Sequence, residues 1–318
     1  MACHPKHVAY QSRTKDDSVK TTQKSMFQAP QDTCFSPRLT LRCPGGRVLD
    51  LRRPQVMGIL NLTPDSFYQD SRVAAEDDLL RRAEQMLQAG AAVLDLGGYS
   101  TRPGAEDISP EEEKRRLLPA VAAVRRAFPE AFISVDTFRA EVAAEAVAAG
   151  ADILNDVSGG QLDADMLPTA GRLGVPYILM HMRGTPQTMT QLTQYEGDLV
   201  LELVRYFRDK LAELRQHGVT DVVLDPGFGF AKTPAQGHEL LRRLRELHVL
   251  GLPILAGLSR KSMVYKPLGL TPDAALAGTV SVNTLAVLNG ARLLRVHDVA
   301  EATQTIQLVL NTFPNLSP

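Results

Sequence analysis

From Val56 onward the hydrophobic positions fall into short unbroken runs, each followed by a polar or glycine-rich loop and then a longer stretch with helical spacing. The runs are VMGIL (56–60), AVLDL (92–96), FISVD (132–136), DILND (152–156), YILMH (177–181), VVLDP (222–226), PILAG (253–257) and RLLRV (292–296). A strand that is apolar on both alternating sides belongs in a parallel sheet covered by helices. Helix boundaries are written between the runs. Ser109-Pro110-Glu111-Glu112 offers a capping hydroxyl, a proline for the first turn and acids at the positive end of the dipole. Thr271-Pro272-Asp273 predicts a second start of the same kind, and Gly90, Gly150 and Gly290 stand where helices must end on a left-handed residue. Eight such units in about 260 residues predict an α/β fold closed as a (β/α)8 TIM barrel rather than an open doubly wound sheet.

Upstream, RLTLRC-PGG-RVLDL (38–51) alternates apolar and polar residues on both sides of a Pro-Gly-Gly turn, the pattern of a β-hairpin. We expect it to plug the N-terminal mouth of the barrel. Residues 1–36 mix Ser, Thr, Gln, Lys, Asp and Pro without periodicity and predict a disordered tail, leaving 37–318 as a single domain.

Composition narrows the function classes. The 318 residues are 44% hydrophobic and 22% charged with a formal net charge of -1, so nothing electrostatic points to nucleic acid or an anionic membrane. No apolar run approaches the roughly 18 residues of a membrane span. The polar start MACHPKHVAY lacks the apolar core of a secretory signal, and all cysteines (Cys3, Cys34, Cys43) precede the barrel. A cytoplasmic protein without a disulfide framework is expected. The glycine patterns GxGxxG and GxxxxGK[ST] are absent.

In a barrel of this kind chemistry gathers at the C-terminal ends of the strands. Those ends carry Asn61, then Thr101 and Arg102, Asp136, Asn155, His181 with Arg183, Asp225, Ser259 with Lys261, and Arg295 with His297. Asp136, Asn155, Asp225 and Lys261 form a hydrogen-bonding set suited to a flat heterocycle with adjacent N–H donors, because a carboxylate meets two parallel N–H groups bidentately. Asn61, Arg295 and His297 offer an amide, a permanent cation and a titratable donor, which suits an anion such as pyrophosphate with a divalent ion. Two such pockets side by side imply a substrate with both parts.

The segments GILNLTPDSF (58–67), STRPGAE (100–106), SVDTF (134–138), LNDVSGG (154–160), MHMRGTP (180–186), LDPGFGFAK (224–232), LSRKSM (258–263) and LRVHDV (294–299) resemble, in order and one per strand, the motifs of the dihydropteroate synthases. That resemblance implies a transferase of folate biosynthesis, a target of sulfonamides, which joins a dihydropterin methyl diphosphate to p-aminobenzoate and releases pyrophosphate. It implies that Asp136, Asn155, Asp225 and Lys261 hold the pterin. Asn61 would ligate Mg2+ and touch the diphosphate, clamped by Arg295 and His297. Thr101 and Arg102 would belong to a loop that closes over the leaving group. Ser259 would meet the p-aminobenzoate carboxylate, with Phe230 and Pro103 as walls for its ring; Phe228, from the same turn, is read apart from the resemblance as simple core packing. The family is usually homodimeric, which agrees with AALAGTVSVNTLAVLNGA (274–291) being apolar on more than one face.

Three departures stand out. Tyr68-Gln69-Asp70-Ser71 replaces a commoner Ser-Asp-Gly-Gly and shifts the loop acid to Asp70; Tyr99 stands where a glutamate is usual; and Val264-Tyr265 follows the SRKSM motif where a glycine is frequent. Two rivals share parts of the pattern. A methyltetrahydrofolate–corrinoid methyltransferase barrel has a similar pterin ring but no use for STRPG, SRKS or Arg295 with His297. A non-catalytic pterin-binding paralogue is favoured by the altered first loop and opposed by Asn61, Arg102, Lys261 and Arg295.

Overall fold

The computed structural model describes Met1 and residues 38–62, 72–99 and 107–316. The tail expected over residues 1–36 lies, Met1 apart, outside the described residues, as do Asp70, Thr101, Arg102 and Pro103. The hairpin forms as the sequence predicts, with β1 (Thr40–Arg42) antiparallel to β2 (Val48–Asp50) and a 3-10 turn at Pro44–Gly46 between them. The predicted apolar runs then become β3 (Gln55–Asn61), β4 (Ala91–Gly97), β5 (Phe132–Asp136), β6 (Ile153–Asp156), β7 (Tyr177–Met180), β8 (Val222–Asp225), β9 (Leu255–Ala256) and β10 (Leu293–Val296). All pair in parallel, in the order β8-β7-β6-β5-β4-β3-β10-β9. A parallel bridge between Leu224 and Ile254 joins the two ends of that order. The amide of Leu224 donates to the carbonyl of Pro253 at 2.9 Å beside it. The sheet is therefore a closed cylinder.

Helices separate the strands and cover the outside: α1 (Arg72–Gln88), α2 (Pro110–Ala127), α3 (Ala140–Ala148), α4 (Met166–Leu173), α5 (Leu199–Gln216), α6 (Pro234–Arg242), α7 (Ser262–Tyr265), α8 (Leu276–Leu288) and α9 (Val299–Thr312). The Ser109 hydroxyl accepts from the amide of Glu112 at 3.2 Å, so the first capping signal acts as predicted. The second does not. Thr271–Ala275 is a turn, α8 starts only at Leu276, and its first turn has no side-chain cap. The amides of Ala274 and Ala275 close back on the carbonyls of Thr271 and Pro272 as a turn, and Asp273 stands exposed 3.6 Å from Arg260. Gly90, Gly150 and Gly290 do adopt positive φ, at 100, 117 and 92°.

The hairpin closes one end of the cylinder. Leu41, Cys43, Leu49 and Leu51 pack with the inward residues Met57, Val93, Ile153, Ile178, Val223, Leu255 and Leu293, drawn from seven of the barrel strands. Charged ties fasten it from outside. Arg42 bonds Asp221 at 3.2 Å, Arg47 pairs with Asp152, and Asp152 also accepts from Arg125 at 2.5 Å and from the amide of Ile133 at 2.8 Å. Burial of the Cys43 thiol pushes its pKa up to about 12, so it behaves as a small apolar residue in this plug. Because Leu51 is fully buried there, Leu51→Ala should cost about 2–5 kcal/mol, read as a lower urea midpoint with the far-ultraviolet spectrum of the folded barrel retained.

Candidate active site

The polar mouth follows from the apolar plug by one pleat. Residues two apart on a strand face the same side. Val93, Ile153, Val223 and Leu293 line the plugged end, so Asp95, Asn155, Asp225 and Arg295 come next on the same inner face. Strand register then sets Asp136 opposite Asn155 on one side and Gly97 on the other. A Cβ on Gly97 would come into ordinary contact with the Asp136 Cβ at 3.4 Å, so the two positions are immediate neighbours on the inner face.

These groups form one buried network. The Ser134 hydroxyl donates to Asp95 Oδ1 at 2.7 Å, and the Asn155 amide nitrogen lies 3.3 and 3.2 Å from the two oxygens of Asp95. Arg295 Nε donates to Asp95 Oδ2 at 2.6 Å while its Nη2 donates to Asp136 Oδ2 at 2.7 Å. Burial works against the charge of Arg295, but the carboxylates of Asp95 and Asp136 outweigh it and hold the guanidinium above its ordinary pKa. Burial likewise pushes Asp136 up to about 7, with Arg295 opposing and Asp95 reinforcing the shift. Asp95, fully buried, was missed in the sequence analysis. Its signal was available, since an acid in the middle of an otherwise apolar strand needs a buried partner.

Across the mouth stands Asp225, whose Oδ1 accepts from the amide of Gly227 at 2.8 Å. Burial raises its pKa, opposed by Lys261 and by that amide. Lys261 Nζ donates to the carbonyl of Phe228 and lies 4.6 Å from the ring centroid of Phe230. Burial draws Lys261 down to about 8 against the pull of Asp225. The glycines of the turn answer to geometry: at Gly227 (φ 69°) an added Cβ would stand 2.1 Å from the carbonyl oxygen of His181. Phe228 is fully buried, as expected, whereas Phe230 is only half-buried.

The pairings cross the two sets in which the sequence analysis grouped these residues. Arg295 bonds the aspartates of the heterocycle set. His297 bonds Ser259, its amide donating to Oγ at 3.2 Å and its Nδ1 lying 3.1 Å from the same oxygen. Asn61 ends β3 half-buried at the same rim. Lys232, which sequence spacing gave no role, is buried beside His181 at 2.9 Å. Tyr99, the residue standing for a usual glutamate, is buried with its ring edge-on to Phe138 at 5.1 Å and its hydroxyl accepting from Gln187 at 3.1 Å. Among the described residues no group of three or more His, Cys, Asp or Glu side chains is placed to hold a metal ion, and no helix is long and apolar enough to cross a membrane.

Chemically the mouth offers acceptors (Asp136, Asp225), an amide (Asn155) and cations (Lys261, Arg295) around one opening. Comparison with known proteins gives this arrangement its family. The pattern of the family described as pterin binding enzyme matches residues 57–297. The dihydropteroate synthase of Escherichia coli is 42% identical over 266 residues, covering 83% of this chain and 93% of that protein. That of a Synechocystis species is 45% identical over 256 residues, covering 80% and 88%. Among solved structures, Yersinia pestis dihydropteroate synthase in complex with a sulfonamide drug superposes with a TM-score of 0.80 at 41% identity, covering 86% of this chain and 98% of that one. The Thermus thermophilus enzyme in complex with 4-aminobenzoate gives 0.77 at 41% identity, covering 86% and 100%. A ring of strand-end groups around one mouth, matched along most of the chain by relatives of one kind, places it: the chain belongs to the dihydropteroate synthase family of pterin binding enzymes.

Proposed function

We propose that this mouth carries out the dihydropteroate synthase reaction, joining 6-hydroxymethyl-7,8-dihydropterin diphosphate to p-aminobenzoate with release of pyrophosphate, and that its residues divide the work as follows. Asp136, Asn155 and Asp225 take the hydrogen-bonding edge of the pterin, and Lys261 bonds an acceptor of the same ring. Arg295, held by Asp95 and Asp136 beside the pterin edge, clamps the diphosphate together with His297. His297 donates to the diphosphate, and Ser259, bonded to it, receives the p-aminobenzoate carboxylate. Phe230 walls the aryl ring. Thr101, Arg102 and Pro103 are assigned by motif to the loop over the leaving group and the second substrate. The observation that carries this reading is the opening shared by Asp136, Asn155, Asp225, Lys261 and Arg295, whose hydrogen bonds cross from β6 to β4 and from β10 to both β4 and β5.

Mg2+ fits as an ion that arrives with the diphosphate. A hard cation of this size keeps several waters and takes one or two protein oxygens beside phosphate oxygens, so one amide oxygen from Asn61 at the strand end is a sufficient protein contribution. When bound it supplies neutralisation of the leaving diphosphate. The residues of the chain do the rest. Arg295 and His297 stabilise negative charge as the C–O bond breaks. Asp136 and Asp225 hold the electron-rich ring that carries the positive charge left on its methylene. Phe230 and Ser259 hold the weakly nucleophilic amine against that carbon, which supplies effective concentration. No protein nucleophile is needed.

A dimer through the last helices is part of this reading, supported by Leu285 at 47% and Leu308 at 67% exposure on α8 and α9. A cytoplasmic setting is also part of this reading, supported by the free, buried thiol of Cys43.

Pyrophosphate release by the purified chain should require the pterin diphosphate, p-aminobenzoate and Mg2+ together. In the same assay and by titration calorimetry, Asp225→Asn should weaken pterin diphosphate binding about ten- to a hundredfold through loss of a charge-assisted contact, with the fold intact. Turnover without the arylamine, or an unchanged affinity, contradicts the assignment. The pH profile of kcat/KM for the pterin diphosphate reports groups of the free enzyme. Asp136 must be ionised and is raised to about 7, so activity falls as pH drops through that value. Lys261 must be protonated and is lowered to about 8, so activity falls again as pH rises through that one. A narrow bell is expected, and a profile flat across both limbs contradicts it. Sedimentation velocity should give a dimer, which Leu285→Glu combined with Leu308→Glu disperses to monomers.

A further inference from the structure

The two substrates of the proposed reaction meet one short turn, with Asp225 at its start and Phe230 near its end. Its backbone is an unusual one. Gly227, Gly229 and Ala231 have φ of 69, 77 and 48°, so every second residue is left-handed. For Ala231 that conformation is strained, and it persists only where the surroundings impose it. Those surroundings are side chains that take the carbonyls of the turn. Tyr195 Oη donates to Ala231 O at 3.0 Å, and Lys261 Nζ donates to Phe228 O. Lys232 Nζ donates to Gly227 O and to Phe230 O, both at 3.2 Å.

Lys232 has a third neighbour, His181 Nδ1 at 2.9 Å. Burial draws the pKa of Lys232 down to about 7 against the pull of Asp225; in its protonated form it has three N–H bonds and nothing to accept with. Here it finds three acceptors, two carbonyls and a ring nitrogen, although only 6% of the residue is exposed. The ring nitrogen accepts only if His181 is neutral with its proton on Nε2. Burial first, and the charge of Lys232 second, hold His181 well below its ordinary pKa and so enforce that form. The ring is fixed from behind by Tyr206, edge-on with centroids 4.8 Å apart. His181 thus meets the turn twice: through its own carbonyl, against which only a glycine fits at 227, and through Lys232.

We propose that Lys232, seated on His181, is a positioning residue that fixes the Gly227–Phe230 turn so that Asp225 and Phe230 face their substrates in one register. It touches neither substrate. This inference rests on the roles given above to Asp225 and Phe230. A lysine serving merely as counter-charge to Asp225 would be indifferent to which atom of residue 181 faces it; a lysine that shapes the turn needs an acceptor at that point.

The experiment compares steady-state kinetics and thermal unfolding of the full chain with Lys232→Met, His181→Phe and His181→Asn. Asparagine offers an acceptor oxygen where Nδ1 stood, while phenylalanine keeps the aromatic packing and removes the acceptor. KM for p-aminobenzoate should rise about ten- to a hundredfold in Lys232→Met and His181→Phe, by more than any fall in kcat, and about threefold or less in His181→Asn. Wild-type KM values in Lys232→Met, or equal damage from both His181 variants, overturn the proposal. So does a loss fully accounted for by a smaller folded fraction in the unfolding curves. Should Lys232→Met be too unstable to assay, the His181 pair decides alone. If the unaltered chain itself releases no pyrophosphate with both substrates, the functional reading fails and this inference with it; if it turns over normally and only the variants disagree, the inference alone is lost.

Discussion

The guanidinium of Arg295, half-buried and gripped between Asp95 and Asp136, is the constraint on which the mouth depends. Taking one partner from a fully buried group of this kind commonly costs about 3–5 kcal/mol, and partial exposure lowers that here, while the intact arrangement contributes little net stability. Its value is therefore positional. Asp95 holds Nε, Asp136 holds Nη2, and Ser134 and Asn155 bond Asp95 in turn, so groups from four strands are locked to one another. With Asp95 as a second acceptor, Asp136 need not satisfy the cation alone. That leaves an aspartate whose orientation is fixed yet whose remaining acceptor capacity can be directed at a ligand.

The same two-residue rhythm that makes a strand alternate its faces builds the site in layers. Apolar residues from seven strands meet the hairpin, and the next inward residues on four of those strands are Asp95, Asn155, Asp225 and Arg295. The apolar layer below keeps water from the charges from one side, which is why burial raises both Asp136 and Asp225 and lowers Lys261. Opposite charges at short range answer that burial, and the pKa values of Asp136 and Lys261 converge near neutrality. A rigid cylinder supplies the carboxylates, and a glycine turn stitched by two lysines supplies the aromatic wall.

What the sequence made legible was what local periodicity controls. All eight strands were visible because a strand buried on both faces is apolar throughout, as YILM and VVLD show. The Pro-Gly-Gly hairpin was visible because turn chemistry is local. The start of α8 was misread because Thr271-Pro272-Asp273 has the composition of a cap, while the amides of Ala274 and Ala275 close it as a turn. Residues whose work depends on distant partners were hidden. Asp95 lies 200 positions from Arg295, and Lys232 lies 51 from His181. Motif order named Asp136, Asn155, Asp225, Lys261, Ser259, Arg295 and His297 as candidates, but not that His297 would bond Ser259 while Arg295 turned to the acids.

The hairpin beneath the barrel also has a kinetic meaning. With Leu41, Leu49 and Leu51 packed under the inward apolar layer, the cylinder has a sealed floor. The aspartates stand just above that floor, so ligands of the mouth approach and depart from the strand ends and not through the hairpin.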